Sequence, residues 1–326
     1  MRLLALVAFA LVTAGCVAAA PAPQPVSASA LGANAVPLHY LDFGGRGEPV
    51  VLLAGAGNSA WIYSDFGPRL ARRHRTLALT RRGHGSSGRP AKGYAIDTMV
   101  EDIRRFLDQR GISRPILIGH SLAGAELTQF AARYPDRVSA LVYLDAAFDR
   151  SVQGKMLAGD PGPSVPPTAA DRASADAFIA YVRRTRRDLR RYWTSAVERD
   201  LRASIAIQPD GTAVWATAAM FGEYWASASA AAPDYARIRA PALAIYSVED
   251  QQYWLPDSAP PALRAKMRAF ERGPLAAWVN RSSAQFLAGP ENREVFEMNA
   301  GHHLFLHRPA QTLAIIERFL DRYPRQ

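Results

Sequence analysis

The chain has 326 residues, of which 49% are hydrophobic and 21% are charged, a balance that fits a soluble globular protein with a large core. The formal net charge is +10 and comes almost entirely from arginines scattered along the chain. Because no basic run carries interleaved aromatics, the charge indicates solvated arginines and excludes nucleic acid as an expected partner. The length favours one domain with an insertion over two equal domains.

The N-terminal segment predicts export. Residues 1–15 are interpreted as a signal peptide, because a short basic start is followed by an apolar stretch, Leu3 to Val12, that is too short to span a bilayer. Small residues then lead to Cys16, the only cysteine of the chain, in a pattern that resembles a bacterial lipoprotein processing site. An ordinary signal-peptidase cut near Ala20 is the alternative, which Pro21 disfavours.

Residues 16–35 are rich in alanine, proline and serine and predict a disordered tether. With Cys16 as the lipidated residue, the domain would be held at a membrane surface without a spanning helix. The predicted location is therefore outside the cytoplasm, as a periplasmic protein or a membrane-anchored lipoprotein.

From residue 36 onwards, apolar strands alternate with amphipathic helices. In chain order the predicted elements are strands at 49–54 and 75–80, a helix at 96–109, a strand at 114–119, a helix at 122–134, strands at 138–144, 241–247 and 294–298, and a helix at 310–323. Strands that are apolar throughout are typical of a parallel sheet covered by helices on both faces, so the predicted fold class is α/β.

The alternation stops between residues 147 and 233, where prolines precede long helical stretches rich in arginine, alanine and aromatics. This segment predicts a helical cap inserted into an α/β core formed by residues 36–146 and 234–326. Aromatic residues in and near the cap predict a hydrophobic or aryl-bearing substrate, although they could equally form the cap's own core. The candidate substrate-binding residues are Trp193, Trp215, Tyr224, Trp225 and Trp254.

Ser121 is the candidate nucleophile. It follows the apolar strand at 114–119 in the sequence Gly119-His120-Ser121-Leu122-Ala123-Gly124, which predicts a sharp turn between a strand and a helix. Small residues flank such a turn because its backbone is strained and packs closely against its neighbours. A hydroxyl exposed there suits covalent acyl transfer.

A serine nucleophile needs a base, an acid behind the base and donors for the oxyanion. His302 is the candidate base because it follows Gly301 in a turn after the last strand. An acid is expected after a strand between Ser121 and His302, and Asp250, Asp145 and Glu249 are the candidates. The predicted oxyanion donors are the backbone N–H groups of Leu122 and Ala56, the latter in a glycine-rich loop without the spacing of a phosphate-binding loop.

Taken in order, these segments make the chain similar to the capped α/β-hydrolases, a group that includes many bacterial esterases and lactonases. Arg82-Gly83-His84-Gly85 and the segment from Tyr134 to Val138 add to the resemblance, which extends over the chain outside the cap. The resemblance implies an α/β-hydrolase fold and favours Asp250 over Asp145 as the acid. Two positions depart from the pattern: Ala54 stands where histidine is frequent, and Ala123 replaces the second elbow glycine.

The predicted function is a serine hydrolase that cleaves carboxylic esters, lactones included, with a small-molecule ester as its partner and no cofactor. The alternatives are an amidase or aminopeptidase, a carbon–carbon hydrolase or a perhydrolase on the same triad, and a non-catalytic ligand-binding protein. A serine elbow argues against the epoxide hydrolases and haloalkane dehalogenases, which use a carboxylate. No metal is expected, because His302, His303 and His307 lack clustered carboxylates and a cysteine.

Overall fold

The computed structural model describes residues 24–161, 166–216, 218–248, 255 and 259–323. Strands in this part of the chain are β1 (Val26–Leu31), β2 (Pro37–Gly44), β3 (Pro49–Leu53), β4 (Arg75–Leu79), β5 (Ile116–His120), β6 (Ala140–Leu144), β7 (Ile205–Ile207), β8 (Ala213–Trp215), β9 (Ala242–Ser247) and β10 (Arg293–Met298). Eight of them form one sheet in the order β1-β2-β4-β3-β5-β6-β9-β10. The pairs β1·β2 and β2·β4 are antiparallel and the others are parallel.

Helices lie on both faces of the sheet. They are α1 (Gly67–Leu70), α2 (Ile96–Gln109), α3 (Ala123–Arg133), α4 (Gln153–Leu157), α5 (Ala175–Thr185), α6 (Arg187–Arg190), α7 (Ser195–Ser204), α8 (Ala218–Ala228), α9 (Pro261–Phe270), α10 (Ala276–Leu287), α11 (Leu304–His307) and α12 (Pro309–Arg322). A π-helical turn, Glu271–Leu275, joins α9 to α10. No helix in the described ranges has both the length and the apolar character needed to cross a membrane.

The core has two layers because side chains alternate along the central strands. In β3, Val51 and Leu53 face the layer that contains α2 and α3, whereas Val50 and Leu52 face the layer that contains α12 and the cap helices α5 and α7. All four side chains are buried. The predicted α/β fold, with a mostly parallel sheet covered on both faces, is confirmed.

The predicted tether has to be corrected over its last ten residues. Val26–Leu31 is an edge strand paired antiparallel with β2, and the Leu31 N–H donates to Gln109 Oε1 at 3.0 Å. Pairing with β2 overrides a composition rich in alanine and serine, which by itself is typical of a flexible segment. The predicted signal peptide (residues 1–15) and Cys16 lie outside the described residues.

Between β6 and β9 the described residues form helices α4–α8 and a short hairpin in which β7 and β8 pair antiparallel. The sequence analysis predicted helices here and missed the hairpin. It also missed β2 and the helices α9 and α10, which lie between β9 and β10.

Candidate active site

A sharp turn carries Ser121 from β5 into α3, as the sequence predicts for a nucleophile elbow. Ser121 follows β5 directly with a φ of 52°, in the left-handed region that costs free energy for a residue other than glycine. A Cβ on Gly119 would lie 2.7 Å from Leu127 Cδ1, and a Cβ on Gly124 would lie 1.9 Å from the Ala146 carbonyl oxygen. These glycines therefore let α3 pack tightly behind Ser121.

His302 lines the same cavity as Ser121 and is held from behind by Asp145. His302 Nδ1 lies 2.6 Å from Asp145 Oδ2, and the other carboxylate oxygen accepts a hydrogen bond from the Ser247 N–H at 3.0 Å. Asp145 is mostly buried. A carboxylate fixed at both oxygens can hold the imidazole in one orientation, with Nδ1 protonated and Nε2 free to accept a proton.

Asp145 follows β6, and its φ of 48° is also in the left-handed region. β6 lies directly beside β5 in the sheet, so the turns carrying Ser121 and Asp145 are neighbours at the carboxyl edge. Asp250, which the sequence analysis favoured, lies outside the described residues, as does Glu249. The described carboxylate at His302 is that of Asp145, the alternative weighed from the sequence.

Two more histidines pack against His302. The His120 ring centroid lies 4.5 Å from that of His302 and 4.7 Å from that of His303. Burial and the neighbouring charges hold the pKa values of His120 and His303 well below the usual range, so both rings are neutral. Neutral His120 donates from Nε2 to the His302 carbonyl at 3.0 Å, which fixes the loop that carries the candidate base.

Of the two residues predicted to supply oxyanion donors, Leu122 follows Ser121 directly and Ala56 lines the same cavity as Ser121. Among the described residues, neither the Ala56 N–H nor the Leu122 N–H has an intramolecular acceptor. The next residue, Gly57, donates its N–H to His84 Nε2 at 3.2 Å. Burial, reinforced by the charge of Arg81, lowers the pKa of His84 to about 3. The neutral ring can therefore accept this hydrogen bond and fix the loop.

A buried ion pair between Arg81 and Glu126 also contacts the loop that carries Ala56. Arg81 donates from Nε to Glu126 Oε1 at 2.5 Å and from an Nη to the Ala54 carbonyl at 2.9 Å. Burial raises the pKa of the Glu126 carboxyl, and the nearby Arg81 charge opposes this rise. Because Glu126 lies on α3, the pair connects this helix to the start of the loop at residues 54–59, which is the candidate oxyanion loop.

The cap reaches the oxyanion loop through Asp200 on α7. Its carboxylate accepts hydrogen bonds from Asn58 Nδ2 at 2.7 Å, from the Ser59 N–H at 2.6 Å and from Ser59 Oγ at 2.7 Å. Asp200 is fully buried, and burial raises its pKa to about 6 despite these donors. The sequence carried no signal for this contact, because Asp200 is one of several charged residues on a cap helix.

Ser121 and His302 line a cavity of about 500 Å³. Of the predicted substrate-binding residues, Trp215 lines this cavity, whereas Trp193, Tyr224 and Trp225 are not among its described lining residues, and Trp254 lies outside the described ranges. Tyr224 instead donates its hydroxyl to the Leu122 carbonyl at 2.7 Å. The cap residues of this lining that were not among the candidates are Arg186, Leu189, Leu201 and Phe221, which only the packing of the cap brings to Ser121.

Comparisons with known proteins agree with the α/β fold described above. The family described as "alpha/beta hydrolase fold" matches residues 48–309, and the chain belongs to this family. A putative non-heme haloperoxidase of Mycobacterium phage D29 is 40% identical over 104 residues, which cover 32% of this chain and 37% of that protein. A putative carbamate hydrolase RutD of Variovorax paradoxus (strain S110) is 40% identical over 116 residues, which cover 34% of this chain and 43% of that protein.

The matched segments thus span less than half the length of these curated relatives. Solved structures extend the likeness of fold to nearly the whole chain. The crystal structure of E-2-(acetamidomethylene)succinate hydrolase aligns with a TM-score of 0.62 at 21% identity, covering 91% of this chain and all of that one. The enol-lactonase from Burkholderia xenovorans LB400 aligns with a TM-score of 0.58 at 21% identity, covering 90% of this chain and all of that one.

Within the ranges that the structure describes, no group of three or more histidine, cysteine, aspartate or glutamate side chains is arranged to hold a metal ion. His302 is engaged by Asp145, and His307 Nδ1 accepts the Gly301 N–H at 2.9 Å.

Proposed function

We propose that the protein is a serine hydrolase of carboxylic esters, lactones included, with Ser121 as nucleophile, His302 as base and Asp145 as the orienting acid. The observation that carries the proposal is the 2.6 Å contact between Asp145 Oδ2 and His302 Nδ1, in a cavity that also contains Ser121. Family membership supports a hydrolase. The choice of ester bonds rests on the site.

In the proposed mechanism, Ser121 Oγ attacks the ester carbonyl carbon while His302 Nε2 takes the hydroxyl proton. The backbone N–H groups of Ala56 and Leu122 stabilise the negative charge on the carbonyl oxygen. When the tetrahedral intermediate collapses, the carbon–oxygen bond to the alcohol breaks and His302 gives its proton to the leaving oxygen. Water then attacks the acyl-enzyme by the same route and releases the acid.

The substrate class follows from the cavity walls. Leu189, Leu201, Trp215 and Phe221 provide aliphatic and aromatic surface, and Arg186 adds one positive charge. A volume of about 500 Å³ lies within the range of small-molecule sites. An ester of modest size with an apolar or aryl group fits these walls.

The first test compares wild type with Ser121→Ala on p-nitrophenyl esters and with a fluorophosphonate probe. We expect the variant to lose turnover and labelling while its thermal melting is unchanged. Wild-type turnover in Ser121→Ala would refute the proposal. Failure of the probe to label the folded wild type would favour a non-catalytic binding protein.

A matched pair of variants tests the acid. Asp145→Asn should lower kcat by about 10³- to 10⁴-fold, because an amide stabilises the wrong tautomer of the imidazole. Asp250→Asn should retain most of the activity. The reverse result would assign the acid to Asp250 and overturn the role of Asp145.

A panel of substrates tests which type of bond the protein cleaves. Esters and lactones should be turned over with much higher kcat/KM than amides, carbamates, carbon–carbon bonds alpha to a ketone, or acid plus peroxide. Faster turnover of one of those other classes would reject ester specificity while leaving the triad assignment intact.

We also propose that the chain is exported and tethered through lipid on Cys16, on the strength of the N-terminal sequence pattern alone. The test is metabolic labelling with a radioactive fatty acid. Wild type should be labelled and fractionate with membranes, whereas Cys16→Ser should be unlabelled. An unlabelled wild type in the soluble fraction would rule out the tether.

A further inference from the structure

A second cavity has a volume of about 520 Å³. Its walls come from α3, from the segment after β6 and from the end of α8 with the loop that follows. Residues at these walls include Gly124, Thr128, Phe148, Arg150 and Ala228. None of its lining residues also lines the cavity of Ser121 and His302, so the two spaces have separate walls.

Arg150 is the unusual side chain in this cavity. It is 5% exposed, and its guanidinium donates to the Ser121 carbonyl at 2.7 Å and to Gln153 Oε1 at 2.8 Å. The guanidinium carbon also lies 5.5 Å from the ring centroid of Trp225. All of these partners are neutral.

Within the described ranges, the charge of Arg150 has no direct counter-ion. No described carboxylate pairs with Arg150, and the nearby Asp145 is already engaged by His302 and Ser247. Arg150 Nε is buried and has no acceptor among the described residues. A buried cation without an anion is costly, and burial accordingly lowers the pKa of Arg150. An anion that enters the cavity would relieve this cost.

The other residues that line the cavity indicate what kind of ligand it could bind. Arg237 adds a second positive charge and Asp234 one negative charge, whereas Arg133 and Asp97 pair with each other at 2.5 Å. Phe148 and a series of alanines line much of the remaining surface. This combination suits a ligand with one anionic group and a compact apolar body.

We propose that this second cavity is a binding site for a small apolar monocarboxylate, with the carboxylate held by the Arg150 guanidinium. The site requires no catalytic step, so it stands apart from the proposed esterase function. It can be measured in the Ser121→Ala variant, in which the backbone carbonyl that Arg150 holds is retained.

The test is calorimetric titration of the Ser121→Ala protein with benzoate, and with benzyl alcohol as the uncharged match. Benzoate should bind and benzyl alcohol should bind at least about tenfold more weakly, because only the carboxylate forms a charge-assisted hydrogen bond with the guanidinium. Adding Arg150→Gln should raise the Kd for benzoate by about tenfold or more. Equal binding with and without Arg150→Gln would overturn the proposal.

Two further variants locate the binding. Ala232→Trp fills the cavity from an exposed wall position while leaving Arg150 in place, so it should abolish binding even if Arg150→Gln fails to fold. Trp215→Ala, which alters the Ser121 cavity, should leave binding unchanged. Loss of binding in Trp215→Ala together with its retention in Ala232→Trp would place benzoate in the Ser121 cavity and refute the second site.

Discussion

The contact between Asp200 and the oxyanion loop makes a quantitative prediction about pH. Asp200 is buried beneath the cap and accepts hydrogen bonds from Asn58 and Ser59. The variant Asp200→Asn keeps the shape of the side chain and removes its ionisation. Comparing the stability of wild type and variant across pH therefore isolates the free energy of burying this one charge.

The magnitude follows from the pKa. Burial raises the pKa of Asp200 from its ordinary value of 3.8 to about 6 in the folded state, a change of about 2 units, or roughly 3 kcal/mol at 1.36 kcal/mol per unit. Between these two values the folded chain binds the proton more tightly than the unfolded chain. The stabilising contribution is therefore fully present below pH 3.8 and is lost as pH rises through about 6.

The assay is urea unfolding of both proteins, followed by tryptophan fluorescence, at half-unit steps from pH 4 to 7.5. The free energy of unfolding of wild type minus that of Asp200→Asn should fall by roughly 2.4 kcal/mol over this range, because part of the total is already lost at pH 4. Other titrating groups cancel in the difference. A flat difference would show that the donors from Asn58 and Ser59 fully offset the burial, and a rising one would reverse the sign of the argument.

Three further predictions concern the packing around the elbow. Gly124→Ala should destabilise the fold by about 1–3 kcal/mol and reduce esterase activity, because the added Cβ meets the Ala146 carbonyl. The control is Gly222→Ala, whose added Cβ meets no other atom. Its stability in thermal melting should be equal to that of wild type or slightly higher. Glu126→Gln should lower the free energy of unfolding in urea by about 3 kcal/mol, because the Arg81 charge is then buried without its counter-charge. The double variant Arg81→Met/Glu126→Leu should recover most of this stability while losing activity. A double variant that recovers no stability would contradict the ion-pair argument. Tyr224→Phe should lower the free energy of unfolding by about 1 kcal/mol, because the hydrogen bond to the Leu122 carbonyl is lost. An unchanged melting temperature would show that this hydrogen bond does not stabilise the fold.

The core of the fold could be predicted from local patterns. Helix α2 begins and ends at the predicted residues, 96 and 109, because its apolar positions recur at helical spacing. The strands β3, β5 and β9 are buried on both faces and appear in the sequence as continuous apolar runs. β1 escaped prediction, because its alanines and serines form a strand only when paired with β2.

The position of Ser121 could also be predicted, because its small neighbours are required within the elbow itself. Which carboxylate contacts His302 could not be predicted in the same way. Asp145 and Asp250 both follow apolar strands in the sequence, and only the lateral order of the strands shows that β6 lies beside β5. Strand order depends on crossover connections, which leave no mark in the residues around either aspartate.

The polar residues that fix the oxyanion loop were the least predictable part of the site. Arg81 and His84 reach the loop from the turn after β4, Asp200 reaches it from α7, and each is buried. A buried polar side chain is stable only with matched partners, and here those partners are the backbone and side chains of residues 54–59. Because a charged residue in the sequence is expected to be solvated, its burial can be inferred only after its partners are known. Oxyanion stabilisation requires donors that are held in place, and the contacts that hold residues 54–59 come from both the cap and the core.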